Sequence, residues 1–161
     1  MRKKSIIVAI FLSSLLTTPP SIAMGSSKHM ACVKTNPQEI AALFDRWNNS
    51  LKTRNPVKVN ANYTDNAILL ATLSNKPRVN SAERIAYFKD FLNKHPMGKI
   101  DSRTIKIGCD KAIDTGLYTF TLKDGKKVHA RYTFTYRWNG HKWLISTHHS
   151  SVLPEKKVNK K

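Results

Sequence analysis

Carboxylates are scarce in this chain. Ten Asp and Glu stand against 28 Lys and Arg, a formal net charge of +18 over 161 residues. That scarcity leaves no acidic partner placed beside the histidines for a metal site. Cysteine occurs only as Cys32 and Cys109, with no CxxC or HxxxH spacing beside either, so no zinc motif and no metal ligand set is implied. No GxGxxG is present, so no dinucleotide or other cofactor is indicated. The apolar run Ile6 to Leu16 is too short to span a bilayer. Internal repeats and low-complexity blocks are absent, which excludes solenoid and fibrous classes.

What is present begins with an export pattern. Arg2, Lys3 and Lys4 form a basic start, Ile6 to Leu16 an apolar centre, and Ser21-Ile22-Ala23 a small-residue cleavage site. Residues 1–23 are therefore expected to be a secretory signal, and the protein periplasmic or secreted, with no membrane span after cleavage. The remaining chain carries a charge near +15 and has the length of one ordinary domain. Its lysines are spread along the chain, apart from a basic tail at residues 155–161. Such a surface adheres to anionic polymers or lipids without selecting them, and no specific nucleic-acid partner is expected. In an exported chain two cysteines suggest a Cys32–Cys109 disulfide, with two buried thiols as the other reading.

Residues 24–35 show no periodicity and are expected to be a flexible spacer. A helix is expected from Asn36-Pro37-Gln38-Glu39, where Asn36 suits the N-cap, Pro37 the first turn and Glu39 a capping box. Ile40, Leu43, Phe44, Trp47 and Leu51 then form one apolar stripe that ends at Asn55-Pro56. A short helix over 56–63, a strand over Ala67–Thr72 and a helix from Asn80 or Ser81 to His95-Pro96 follow. From Lys99 the pattern turns to strands. The clearest is Lys127 to Ser151: Val128, Ala130, Tyr132, Phe134, Tyr136 and Trp138 alternate with polar residues, and Asn139-Gly140 offers a type I′ turn to a second strand. Helices first and antiparallel strands after them make an α+β fold.

This order resembles the cone-shaped nuclear transport factor 2-like (SnoaL-like, cystatin-like) superfamily. The stretch Asn139-Gly-His-Lys-Trp-Leu-Ile-Ser-Thr-His-His-Ser-Ser-Val-Leu-Pro154 is similar to the end of the association (hub) domain of calcium/calmodulin-dependent protein kinase II. Glu39-Ile-Ala-Ala-Leu-Phe-Asp-Arg-Trp47, Ser74-Asn-Lys-Pro-Arg78, Ile100-Asp-Ser-Arg-Thr104 and His129-Ala-Arg-Tyr-Thr-Phe134 resemble stretches of its stand-alone bacterial relatives, sometimes labelled SgcJ/EcaC-like. The likeness covers residues 36–154. It implies N-terminal helices on a curved, mostly antiparallel sheet, self-association as a homodimer or higher oligomer, and a pocket between the first helix and the sheet. His149 falls on the last histidine of the family's terminal strand and Trp143 on its tryptophan. Where the hub has pocket arginines on two preceding strands, Phe120 and Thr133 stand here, with Arg131 two residues away.

The ligand-binding candidates are accordingly Arg131, His149, His129 and Tyr63, for a small anionic or partly apolar molecule. On the even/odd pattern His149 shares a face with Trp143 and Ile145, while His148 points the other way. Asp65 reads as a turn aspartate; Asp101 and Asp114 are further carboxylates a base would need. No catalysis is assigned. The alternative is an isomerase- or cyclase-type enzyme of this superfamily using a pocket histidine, His149, as base.

Overall fold

The computed structural model describes residues 32–72 and 74–154. The expected signal, most of the spacer and the basic tail lie outside them. Three helices, α1 (Pro37–Lys52), α2 (Pro56–Asn60) and α3 (Ser81–Leu92), precede or interrupt five strands: β1 (Tyr63–Leu70), β2 (Met97–Ile107), β3 (Lys111–Thr121), β4 (Lys127–Trp138) and β5 (Trp143–Val152). The sheet order is β1-β5-β4-β3-β2, with only the β1–β5 pair parallel. The fold is thus the α+β, mostly antiparallel arrangement the sequence pattern implies. No helix of the described residues is long and apolar enough to cross a membrane.

Asn36 caps α1 by accepting from the Glu39 amide at 2.9 Å, and Asn80 caps α3 through Glu83 at 3.0 Å. The stripe Ile40, Leu43, Phe44, Trp47 and Leu51 is buried on the sheet. Phe44 and Trp47 meet Phe134 at ring separations of 6.1 and 5.4 Å, in the edge-on geometry aromatic pairs favour. Cys32 and Cys109 are joined as a disulfide across 77 residues, and the Val33 amide donates to the Cys109 carbonyl.

Several local expectations are corrected. β1 starts at Tyr63 rather than Ala67, so Asp65 lies in an irregular strand and not in a turn. Arg84 explains why that irregular stretch holds. Its guanidinium is fully buried and donates to the carbonyls of Ala67, Thr64 and Asp65 and to Asn60 Oδ1 and Ser81 Oγ. Carbonyls that a regular ladder would use are satisfied by one side chain instead. The β4–β5 connection is a four-residue loop, with Trp138 opposite Trp143. Gly140 alone in it takes a positive φ, while Asn139 Oδ1 accepts from the amides of His141 and Lys142. A type I′ pair is therefore replaced by an Asn-capped loop.

The most consequential departure is a bulge in β5. Thr135 pairs with Thr147, but the next residue, Tyr136, pairs with Ile145, so Ser146 is extra. Its hydroxyl donates to the Thr135 carbonyl at 3.0 Å. One added residue reverses the facing of everything beyond it. Trp143 and Ile145 are buried, and so are His148 and Ser150, while His149 is exposed.

Candidate functional site

A cavity of about 350 Å³ lies between α3 and the inner face of the sheet. From α3 come Tyr87, Phe88 and Phe91; from the sheet Leu69, Tyr118, Phe120, Ala130, His148 and Ser150; α1 adds only Trp47. The pocket was expected between the first helix and the sheet; α3 rather than α1 forms the wall opposite the sheet. Most of the wall is aromatic or aliphatic, the composition of small-molecule sites. Charged groups line it only where the protein meets solvent: half-buried Arg78 and exposed Asp90 and Lys94. Arg78 lies over the Tyr87 ring, 4.8 Å from its centre, and donates to Ser74 Oγ and the Lys76 carbonyl.

The inner end is polar but uncharged. Trp47 Nε1–H donates to Tyr63 Oη at 3.0 Å, and Tyr63 Oη is 2.9 Å from His148 Nδ1. An indole nitrogen only donates, so the tyrosine oxygen accepts there and its single hydrogen goes to Nδ1. Nδ1 is therefore an acceptor, and the remaining imidazole proton sits on Nε2. The hydrogen-bond network makes this tautomer assignment. Burial, with a smaller contribution from neighbouring His149, lowers the His148 pKa from 6.5 to about 3. The ring is neutral at physiological pH, stacked on Phe134 at 4.0 Å and edge-on to Trp47 at 5.2 Å. Its Nε2 is buried without a partner among the described residues. Beside it, Tyr118 Oη donates to Ser150 Oγ at 2.5 Å, and Ser150 also contacts Thr72 Oγ1.

The candidate residues divide sharply. Tyr63 stands directly behind the cavity wall, holding His148. Arg131, His149 and His129 do not converge with it: all three are exposed. Arg131 pairs with Leu117 and Ser151, and His149 with Thr133, on the outer sheet face. His129 Nδ1 lies 2.8 Å from Thr119 Oγ1, which donates to Asp101 Oδ2. Asp114 is buried elsewhere and does not line the cavity. It accepts from Tyr132 Oη at 2.8 Å and pairs with Arg103 at 3.1 Å, while burial raises its pKa above the ordinary carboxylate value. No cluster of three metal-ligating side chains occurs among the described residues. The residues that line the cavity yet escaped sequence reasoning are His148, Arg78, Tyr118 and Ser150. Only the run of β4 and β5 marked the region.

Comparisons with known proteins identify the fold and the family. The family model for the calcium/calmodulin dependent protein kinase II association domain matches residues 36–154. A Xanthomonas campestris protein whose solved structure is assigned to that association domain is 44% identical, with a TM-score of 0.72, covering 79% of this chain and 97% of its own. A nuclear transport factor 2-like protein of unknown function from Pseudomonas putida has a TM-score of 0.65 at 19% identity, covering 77% of this chain and 90% of its own. A nuclear transport factor 2-like protein from Streptomyces avermitilis with a dehydratase label has a TM-score of 0.66 at 10% identity, covering 73% and 96%. The last two share the fold alone. A comparison with curated proteins finds no match.

Proposed function

This chain belongs to the calcium/calmodulin dependent protein kinase II association domain family, and on that premise we propose that it is an exported, self-associating module that binds a small, partly apolar ligand in the cavity under α3. The observation that carries the reading is the cavity itself: aromatic walls, an unpartnered His148 Nε2 at the inner end and Arg78 at the mouth. An apolar body fills such a space, and a guanidinium spread over Tyr87 meets an anionic end where water still screens it. The disulfide supports export, because such bonds persist in oxidising compartments.

Self-association is supported by the outer sheet face. It presents half-exposed Ile68, Leu70, Ile113 and Leu117 among Thr115, Thr133, Thr135 and Arg131, a surface of mixed apolar and polar character. The alternative of a histidine-based isomerase asks for an imidazole that takes a proton. His148 offers the reverse, an occupied Nδ1 and a protonated Nε2. Recognition fits that chemistry better than proton abstraction.

Native mass spectrometry of protein taken from its source compartment tests both parts. The expected result is an oligomer carrying a small adduct that organic solvent removes. A bare monomer would overturn the proposal. Leu117→Glu, placed on the outer face, should dissociate the oligomer and leave the adduct in place.

A further inference from the structure

Formal charge is partitioned along this cavity. The groups at its inner end, His148, Tyr118, Ser150 and Thr72, are all uncharged, and Arg78, Asp90 and Lys94 sit at the mouth. We propose that the inner end is a subsite for an uncharged hydrogen-bond acceptor, a carbonyl or amide oxygen on an apolar body, received by the Nε2–H of His148. The proposal rests on the cavity being a binding site, and names which end of the ligand goes in first.

Three observations carry it. Nδ1 is occupied by Tyr63, which is itself fixed by Trp47, so the ring cannot turn over without breaking its buried hydrogen bond to Tyr63. Nε2 is the one side-chain nitrogen of His148 left without a partner, and the residue is 4% exposed. A buried donor left unpaired costs free energy that a ligand acceptor recovers. Finally, among the described residues the one fully buried guanidinium is not free to meet an anion: Arg84 lies over the Tyr63 ring, 5.5 Å from its centre. Its N–H groups are committed to Asn60, Thr64, Asp65, Ala67 and Ser81. A carboxylate at the inner end would be desolvated without a counter-charge, the least favourable outcome for an ion. A purely hydrocarbon end would leave Nε2 unpaired.

Three probes of one size separate these cases: 4-acetylbenzoate, 4-isopropylbenzoate and terephthalate, titrated at fixed 0.15 M salt against the full chain. The Trp47 indole N–H signal in a 1H–15N spectrum reports occupancy of the cavity. The acetyl compound is expected to bind about tenfold or more tightly than the isopropyl isostere, and more tightly than the dicarboxylate. His148 is expected to show a protonated Nε2 and a bare Nδ1, with Nε2 moving when 4-acetylbenzoate binds. Equal binding of the isopropyl compound, tighter binding of terephthalate, or an Nδ1-protonated ring would each overturn the subsite while leaving the cavity a binding site. If none of the three moves the Trp47 signal, the cavity reading itself falls and takes this one with it. In His148→Phe, checked for folding by circular dichroism, the acetyl preference should vanish; its persistence would also overturn the assignment.

Discussion

Mild acid should destabilise this protein by an amount that one imidazole sets. His148 is enclosed by Trp47 of α1, Tyr63 of β1 and Phe134 of β4, and its folded pKa of about 3 lies below the 6.5 of a solvated ring. A base with a depressed folded pKa holds fewer protons folded than unfolded once the pH drops below 6.5. Its neutral state is fully compatible with folding above that pH, and stability is lost as pH falls from there toward 3. At about 1.4 kcal/mol per pH unit, the loss is about 2 kcal/mol at pH 5 and about 3 kcal/mol at pH 4. Against a total stability of roughly 5–15 kcal/mol, that is a large fraction. Asp114 works in the opposite direction, since its raised pKa favours the folded protein as it protonates. A comparison of variants removes it. In His148→Asn the amide oxygen takes the place of Nδ1 as acceptor from Tyr63, but nothing titrates. Urea unfolding of both proteins between pH 7.5 and pH 4 should give curves that converge on acidification, their separation shrinking by about 2 kcal/mol by pH 5. Parallel curves would refute the argument, because they would mean that His148 binds its proton equally well folded and unfolded.

Other perturbations follow from single contacts. Arg84→Met should cost about 3–5 kcal/mol in urea unfolding, since it strands the carbonyls of Thr64, Asp65 and Ala67; a loss below about 1 kcal/mol would mean that water replaces the guanidinium. Replacing Cys32 and Cys109 by serine opens a loop spanning 77 residues and should lower stability by about 4 kcal/mol on the chain-entropy model, read as a fall in the thermal midpoint that reductant reproduces in the parent. Gly116→Ala would place a methyl 2.1 Å from the Ser102 carbonyl oxygen, where β2 bulges toward β3. Backbone must move to admit it, so a loss of about 2–4 kcal/mol is expected in the same assay.

The fold was legible because its signals are local and mutually consistent. Asn36 and Asn80 announce helix starts through side-chain oxygens that need only the next three residues. The alternation from Val128 to Trp138 fixes which face of β4 is buried without reference to anything distant. Arg84 was illegible for the opposite reason. An arginine on a helix face reads as solvated, and only the irregularity of β1, seventeen to twenty residues away, supplies the carbonyls that make its burial tolerable.

The histidines of β5 were misread for a geometric reason. Alternation carried from Trp143 and Ile145 puts His149 inside, and it holds only while β5 stays regular. Ser146 breaks it, and no residue near Ser146 is of a type that marks a bulge, such as glycine. The extra residue exchanges the two histidines: His148 enters the core against Trp47 and Tyr63, and His149 joins Thr133 outside. The exchange also alters the chemistry. The buried ring is a fixed dipole whose direction Trp47 and Tyr63 dictate, whereas the exposed one makes no such contact with them. Deleting Ser146 should therefore remove the bulge without exchanging the histidines. It leaves Ile145 opposite Tyr136, Thr147 opposite Thr135 and His148 opposite Phe134, so a regular strand still carries His148 into the core and His149 outside. The variant should keep the Trp47–Tyr63–His148 hydrogen bonds, and loss of the parent's Trp47 indole signal where circular dichroism still reports a sheet would show that the bulge itself, rather than the pairing with β4, holds the cavity wall.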